Sequence, residues 1–181
     1  MSLSLIECIK DEEIEEVRRC IQQGADVNTK DNGNGFSALM WASFIGNTEI
    51  FKLLLENGAY VEPKRKGDYP PLVWAAQFNR TEIVKLLLEN DADINFESSG
   101  GMTALRWAAF DGITELVELL LENGAKITND LLGNDDIKEK TEVLKMLKDE
   151  IERRKHLKMA RYTFLRHTNF HLAQEIAVRM K

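Results

Sequence analysis

Leu53-Leu54-Leu55-Glu56-Asn57 returns as Leu86-Leu87-Leu88-Glu89-Asn90 and again as Leu119-Leu120-Leu121-Glu122-Asn123, each copy 33 residues after the last. The same interval relates Leu39, Leu72 and Leu105. It also relates Trp41, Trp74 and Trp107, then Ala42, Ala75 and Ala108, and Thr48, Thr81 and Thr114. Coincident series at one period mark a repeat architecture, whose units cannot bury their apolar faces alone and must stack.

Inside a unit the pattern reads as two helices and a turn. The first helix is short, Ser37–Ile45 in one copy and Pro71–Phe78 in the next. Ser37 and Thr103 suit N-caps, and Pro71 suits a first turn, where its missing N–H is not needed. The second helix carries Ile83, Val84, Leu86 and Leu87 at the spacing of one buried stripe. Gly46, Asn79 and Gly112 stand between the helices, and Gly58, Asp91 and Gly124 follow the second, where a left-handed C-cap is expected. Asp91 is the costly member of that set, because its Cβ opposes positive φ. Each fully buried leucine contributes roughly 1.5–3 kcal/mol, so the leucine rows supply much of the drive to stack. The fold expected is an all-α solenoid of helix-turn-helix units with short hairpin loops and a concave face lined by first helices and turn tips.

Thr103-Ala104-Leu105-Arg106-Trp107-Ala108 and Pro70-Pro71-Leu72-Val73-Trp74-Ala75, with Gly24-Ala25-Asp26-Val27-Asn28 and Asp91-Ala92-Asp93-Ile94-Asn95, resemble the first-helix and closing-turn signatures of the ankyrin repeat family. The histidine of the family pattern is replaced by Met40, Val73 and Arg106, which removes the Thr–His hydrogen bond that braces the family's loop. The resemblance covers about residues 1–158. Residues 1–28 read as an N-terminal cap repeat with its second helix near Glu13–Gln22, and 29–61, 62–94 and 95–127 as full repeats. Thr141-Glu142-Val143-Leu144-Lys145-Met146-Leu147 echoes Thr81-Glu82-Ile83-Val84-Lys85-Leu86-Leu87 six residues early, so 128–158 reads as a shortened C-terminal cap. Residues 159–181 read as a basic amphipathic helical extension.

The chain has 181 residues, 44% hydrophobic and 30% charged, and a formal charge of −6. That balance is globular. No apolar run approaches the ~20 residues of a membrane span, and no cleavable signal is visible. Two cysteines cannot make a disulfide framework for this length. Cys8 and Cys20 read as reduced core residues of one helical hairpin, and the expected compartment is cytoplasmic. The charge is split. Residues 1–147 hold 15 basic and 26 acidic side chains, a net of −11, whereas 148–181 hold 9 and 4, a net of +5. The acidic body repels phosphates, so neither nucleic acid nor an anionic membrane is expected as principal partner; only the tail would reach either.

Two surfaces are candidates. Helical spacing groups Trp41 with Phe44 and Ile45, Trp74 with Gln77 and Phe78, and Trp107 with Phe110 and Asp111. With Phe36, Tyr69 and Met102 at the turn tips, these would form an aromatic stripe across neighbouring units, and Trp and Tyr are enriched at binding hot spots. The competing reading packs the tryptophans between units, out of reach. Positions of this kind are where the resemblance implies that a partner protein docks, making the chain an adaptor, inhibitor or scaffold. In the tail, Arg153, Arg154, Lys155, Lys158, Arg161 and Arg166 precede Leu172, Ala173, Ile176, Ala177 and Met180 on one helical face. Such a segment binds membranes, nucleic acid or a partner groove, or packs on its own stack. A monomer is expected, with self-association, if any, through the tail.

No catalytic role is expected. There is no phosphate-binding Gly-Lys-Ser/Thr loop, nucleophile elbow, zinc-protease helix or calcium loop. His167, His171 and Glu175 share a helical spacing that can chelate a metal, but surface histidines are the simpler reading, and no cofactor is expected.

Overall fold

Paired helices at a 33-residue period leave each unit with one apolar side uncovered, and the next unit covers it. A computed structural model describes residues 4–62, 69–98 and 100–179, with side chains through Arg161. The pairs are α1 (Leu5–Lys10) with α2 (Ile14–Gln22), α3 (Ala38–Ile45) with α4 (Thr48–Glu56), α5 (Pro71–Gln77) with α6 (Thr81–Glu89), and α7 (Ala104–Asp111) with α8 (Thr114–Glu122). First helices pack in sequence, α1 on α3, α3 on α5 and α5 on α7, each with its own second helix behind it. Among the described residues there is no strand, only a bridge between Lys30 and Ser37 at the base of the first hairpin. The chain is an all-α solenoid.

Local chemistry sets several of the boundaries. Ser37 Oγ accepts from the Met40 N–H at 3.2 Å and Thr103 Oγ1 from the Arg106 N–H at 3.2 Å, capping α3 and α7. Pro71 opens α5. All six expected left-handed positions have positive φ, including the non-glycines Asn79 at 51° and Asp91 at 61°. At Gly46 (φ 93°) a second constraint applies, because a Cβ there would lie 2.6 Å from the Arg80 side chain, which crosses from the next unit. Arg80 Nε donates to the Phe44 carbonyl at 3.3 Å.

Leu54, Leu87 and Leu120, the middle members of the triple-leucine rows, are fully buried, as are Leu39, Leu72 and Leu105 on the facing helices. The outer leucines are more varied: Leu53 and Leu121 are buried, whereas Leu55, Leu86, Leu88 and Leu119 are half-buried.

A polar ladder runs beside this core. Asn28 Oδ1 accepts from the Tyr60 N–H at 2.8 Å, Glu62 Oε1 from the Asp93 N–H at 2.9 Å, and Asn95 Oδ1 from the Lys126 N–H at 2.7 Å. Each closing turn thus holds the equivalent turn of the next unit.

The last unit is shortened. After α9 (Asn129–Gly133), the one-turn helix α10 (Asp135–Glu139) takes the first-helix place against α7, and the start of α11 (Thr141–Arg179) takes the second-helix place against α8. Register is kept: Lys140 lies over Gly112 as Arg80 lies over Gly46. Helix α11 has 39 residues, about 58 Å at 1.5 Å per residue, and runs past residue 158 without a break.

An aromatic face on the first helices

Because α3 and α5 are neighbours in the inner row, their aromatic side chains meet across the boundary between units. Trp74 sits at the centre, with ring centroids 4.8 Å from Phe36, 5.5 Å from Tyr69, 6.0 Å from Phe78 and 6.2 Å from Phe44. Phe44 and Phe78 meet edge-on at 4.6 Å, and Trp41 lies 5.4 Å from Phe36 and 5.7 Å from Phe44. Tilted and edge-to-face arrangements match the ring quadrupoles and add about 0.5–1.5 kcal/mol per pair beyond area burial. Six rings therefore form one cluster over the first two full units.

The stripe differs from its sequence expectation in extent. Trp107 and Phe110 form a separate edge-on pair at 6.3 Å, with Phe110 41% exposed and Asp111 at the surface. Phe36 does more than flank the stripe; it bridges Trp41 and Trp74. Ile45 is half-buried and packs on the core. Gln77 and Met102 are half-buried, and the Met102 carbonyl closes its hairpin by accepting from Ser98 N–H at 3.0 Å. Phe78 is 37% exposed, and the three tryptophans are half-buried.

The three indoles have different polar surroundings. Trp41 Nε1 donates to Asp31 Oδ2 at 3.1 Å, while Asp31 Oδ1 accepts from the Asn34 and Phe36 N–H groups, both at 3.0 Å. Lys10 Nζ lies 3.6 Å from Asp31 and 4.3 Å from the centre of the Trp41 ring, a cation–π placement. Burial alone would raise the Asp31 carboxyl, but the Phe36 N–H, the Trp41 indole, the Asn34 N–H and Lys10 together hold it below the ordinary carboxylate range. Nε1 of Trp74 and of Trp107 is buried without a hydrogen-bond partner among the described residues. Sequence reasoning missed Lys10 and Asp31 as neighbours of the cluster, because their convergence on Trp41 depends on how the first unit docks. Glu7, Lys10, Thr29, Asp31, Asn34 and Trp41 are among the residues lining an open groove of about 620 Å³ beside the rings.

The lost family histidine is replaced by different contacts. Met40 Sδ accepts from the Ser37 N–H at 3.3 Å. Arg106 Nη1 bridges to Asp130 Oδ2 at 3.2 Å, tying its unit to the next.

In the tail, Arg153 and Arg154 both bind Glu150, and Lys155 binds Glu152 at 2.7 Å. Arg154 also reaches the stack. Lys158 and Arg161 are exposed, beside Leu157 at 56% and Met159 at 66% exposure. The side chains of Arg166, His167, His171, Glu175 and the 172–180 apolar set lie outside the described residues. No helix among the described residues is long and apolar enough to cross a membrane, and no metal-ligating group of three is found among them.

Family models for ankyrin repeats match residues 5–55 and 62–130. The chain belongs to the ankyrin repeat family. Such repeats generally mediate protein–protein interaction and are typically non-catalytic. Among curated proteins, the chain is similar to the ankyrin repeat and SAM domain-containing protein 6 of Rattus norvegicus, 42% identical over 53 residues. That match takes in 29% of this ankyrin chain and 6% of the relative.

Proposed function

We propose that this ankyrin stack is a non-catalytic protein–protein interaction module, an adaptor, inhibitor or scaffold. It binds an apolar or basic-apolar segment of a partner protein on the concave face. The observation that carries the reading is the six-ring cluster centred on Trp74, partly open at Phe78 and continuous through Trp41 with the groove above Lys10 and Asp31. Rigid aromatic rings give contact area at low entropic cost, and the net −11 of residues 1–147 favours a basic segment. Met102, Trp107, Phe110 and Asp111 extend the surface into the third unit. The test is affinity capture with wild type and with Phe78→Ala plus Phe44→Ala, with binding and thermal stability measured together. Selective loss of binding supports the reading; lost stability with binding unchanged would sink it.

Exposed Leu157 and Met159 beside Lys158 and Arg161 favour a second reading, in which the tail carries the stack to an anionic membrane or nucleic acid. Anionic vesicles and labelled nucleic acid, each titrated with salt, test it against a variant lacking 159–181. Binding that survives this deletion would exclude it.

A further inference from the structure

Cys8 and Cys20 are the chain's two cysteines, and the α1–α2 hairpin brings their sulfurs to 3.8 Å. A disulfide requires about 2.05 Å, so the sulfurs need approach by less than the width of one atom. The helices that carry them are adjacent and joined by a turn of three residues, Asp11–Glu13. Their surroundings differ in a way that gives the two thiols separate roles. Cys8 is fully buried in the core, and desolvation, reinforced by the contact with Cys20, pushes its thiol up to about 11. Cys20 is half-buried on α2, within reach of a small oxidant.

We propose that Cys8 and Cys20 form a reversible disulfide site, with Cys20 the entry thiol and Cys8 the resolving thiol. The oxidant is a low-molecular-weight disulfide, R–S–S–R. Cys20 loses its proton to solvent and its thiolate attacks one sulfur of the oxidant. The R–S–S–R bond breaks, Cys20–S–S–R forms, and the first R–S⁻ leaves and takes up a proton. Cys8 then loses its proton and attacks Cys20 Sγ; the Cys20–SR bond breaks and the second R–S⁻ leaves and is protonated. Two protein thiols are oxidised by two electrons, and one small disulfide is reduced to two small thiols. A high thiol pKa leaves little Cys8 thiolate, yet it makes that thiolate a strong nucleophile, and sulfur contact supplies a high effective concentration. The bond closes a short loop in the first unit and constrains its unfolded chain. The site stands independently of what the aromatic face binds.

The experiment equilibrates the native full chain in buffers of reduced and oxidised glutathione, quenches in acid, alkylates, and reads intact mass and a peptide map. The expected result is a monomer lighter by two hydrogens, resistant to alkylation, with a Cys8–Cys20 cross-linked peptide and an upward shift in melting midpoint, all reversed by dithiothreitol. Cys8→Ala is expected to stop at the Cys20 glutathione adduct, and Cys20→Ala to remain unmodified while folded. A wild-type chain that holds the adduct without closing it, cross-links only between molecules, or forms the disulfide only in denaturant overturns the proposal. That arm needs no variant, so a Cys8→Ala chain that fails to fold leaves the test intact.

Discussion

Arg154 donates from Nη2 to the Leu121 carbonyl at 3.1 Å and from Nη1 to the Ala125 carbonyl at 3.0 Å. Both acceptors belong to the C-terminal end of α8 and the turn after it, where carbonyls carry partial negative charge; the Leu121 carbonyl also accepts from the Gly124 N–H at 3.0 Å. A residue that reads as part of a basic tail therefore clamps α11 to the last full unit. Arg154→Ala should destabilise that end by about 1–3 kcal/mol, the scale of charge-assisted hydrogen bonds lost with the Ala125 carbonyl left buried. Arg154→Lys should recover little, since one ammonium cannot span both carbonyls. Urea unfolding with hydrogen exchange over 141–155 checks this; unchanged exchange in the Arg154→Ala chain would show the clamp to be idle.

Glu150 extends the clamp into a pH dependence. Its hydrogen bond with Arg153 comes first, then that with Arg154, and despite burial they hold its carboxyl down at about 2, against an ordinary 4.5. A carboxyl lowered in the folded state stabilises fully above its unfolded value and loses that contribution as pH falls toward its folded one. Docking of α11 should therefore loosen between about pH 4.5 and 2. Glu150→Gln should already be less stable at neutral pH and flatter across that window, as read by helix signal against pH.

Glu62 carries the opposite sign. It stands where Asn28 and Asn95 stand in their own turns, and its Oε1 does the same work on the Asp93 N–H, but Oε2 is buried without a partner among the described residues. Desolvation, with the Asp93 charge adding to it against the N–H, raises its carboxyl above the ordinary 4.5. A raised carboxyl costs stability above its folded pKa and is relieved as pH falls through that value. Glu62→Gln and Glu62→Asn should be more stable than wild type at pH 7, with the advantage fading by about pH 4. Parallel denaturation at the two pH values measures it, and an advantage that persists in acid would refute the charge as its cause.

Asp91 holds the closing turn of the second full unit at φ 61°, where the neighbouring copies have Gly58 and Gly124. Replacing it with glycine removes the Cβ strain and adds unfolded-state entropy, two effects of opposite sign. The strain is the larger, and Asp91→Gly should gain roughly 0.5–1 kcal/mol. Gly58→Asp should lose a similar amount, and a urea midpoint on each variant decides both.

What was legible in the sequence was whatever repeats. Leucine period, Ser37 and Thr103 caps and the left-handed positions all depend on neighbours close in the chain or one unit away, so a 33-residue comparison exposes them. The contacts of Arg154, Lys10 and Asp31 were not legible. Each joins a terminal unit to its neighbour, where no second copy exists to reveal the pattern. The aromatic stripe was legible as residues but not in extent: Phe36 joins the first two tryptophans, whereas Trp107, among the described residues, pairs with Phe110 alone.

The two tryptophans of the cluster differ in one polar bond, and that difference should be measurable. Trp41 gives its indole N–H to a buried Asp31 carboxylate, whereas the Trp74 N–H is buried with no acceptor among the described residues. Trp41→Phe removes the donor and leaves Asp31 to its two backbone N–H groups and Lys10, a loss of about 1–2 kcal/mol on top of reduced packing. Trp74→Phe loses ring area too, but it also removes an unsatisfied donor whose burial costs on the order of 1–3 kcal/mol, so the two effects oppose. Trp41→Phe should therefore be the more destabilising of two chemically identical substitutions, although Trp74 touches more rings. The comparison also separates stability from recognition, because Trp74→Phe keeps an aromatic ring at the centre of the cluster. If a partner accepts a hydrogen bond from Trp74 after local rearrangement, this variant will bind more weakly while folding as well as wild type. Equal destabilisation by the two substitutions would show that ring packing, and not the indole N–H, sets the energetics of the face.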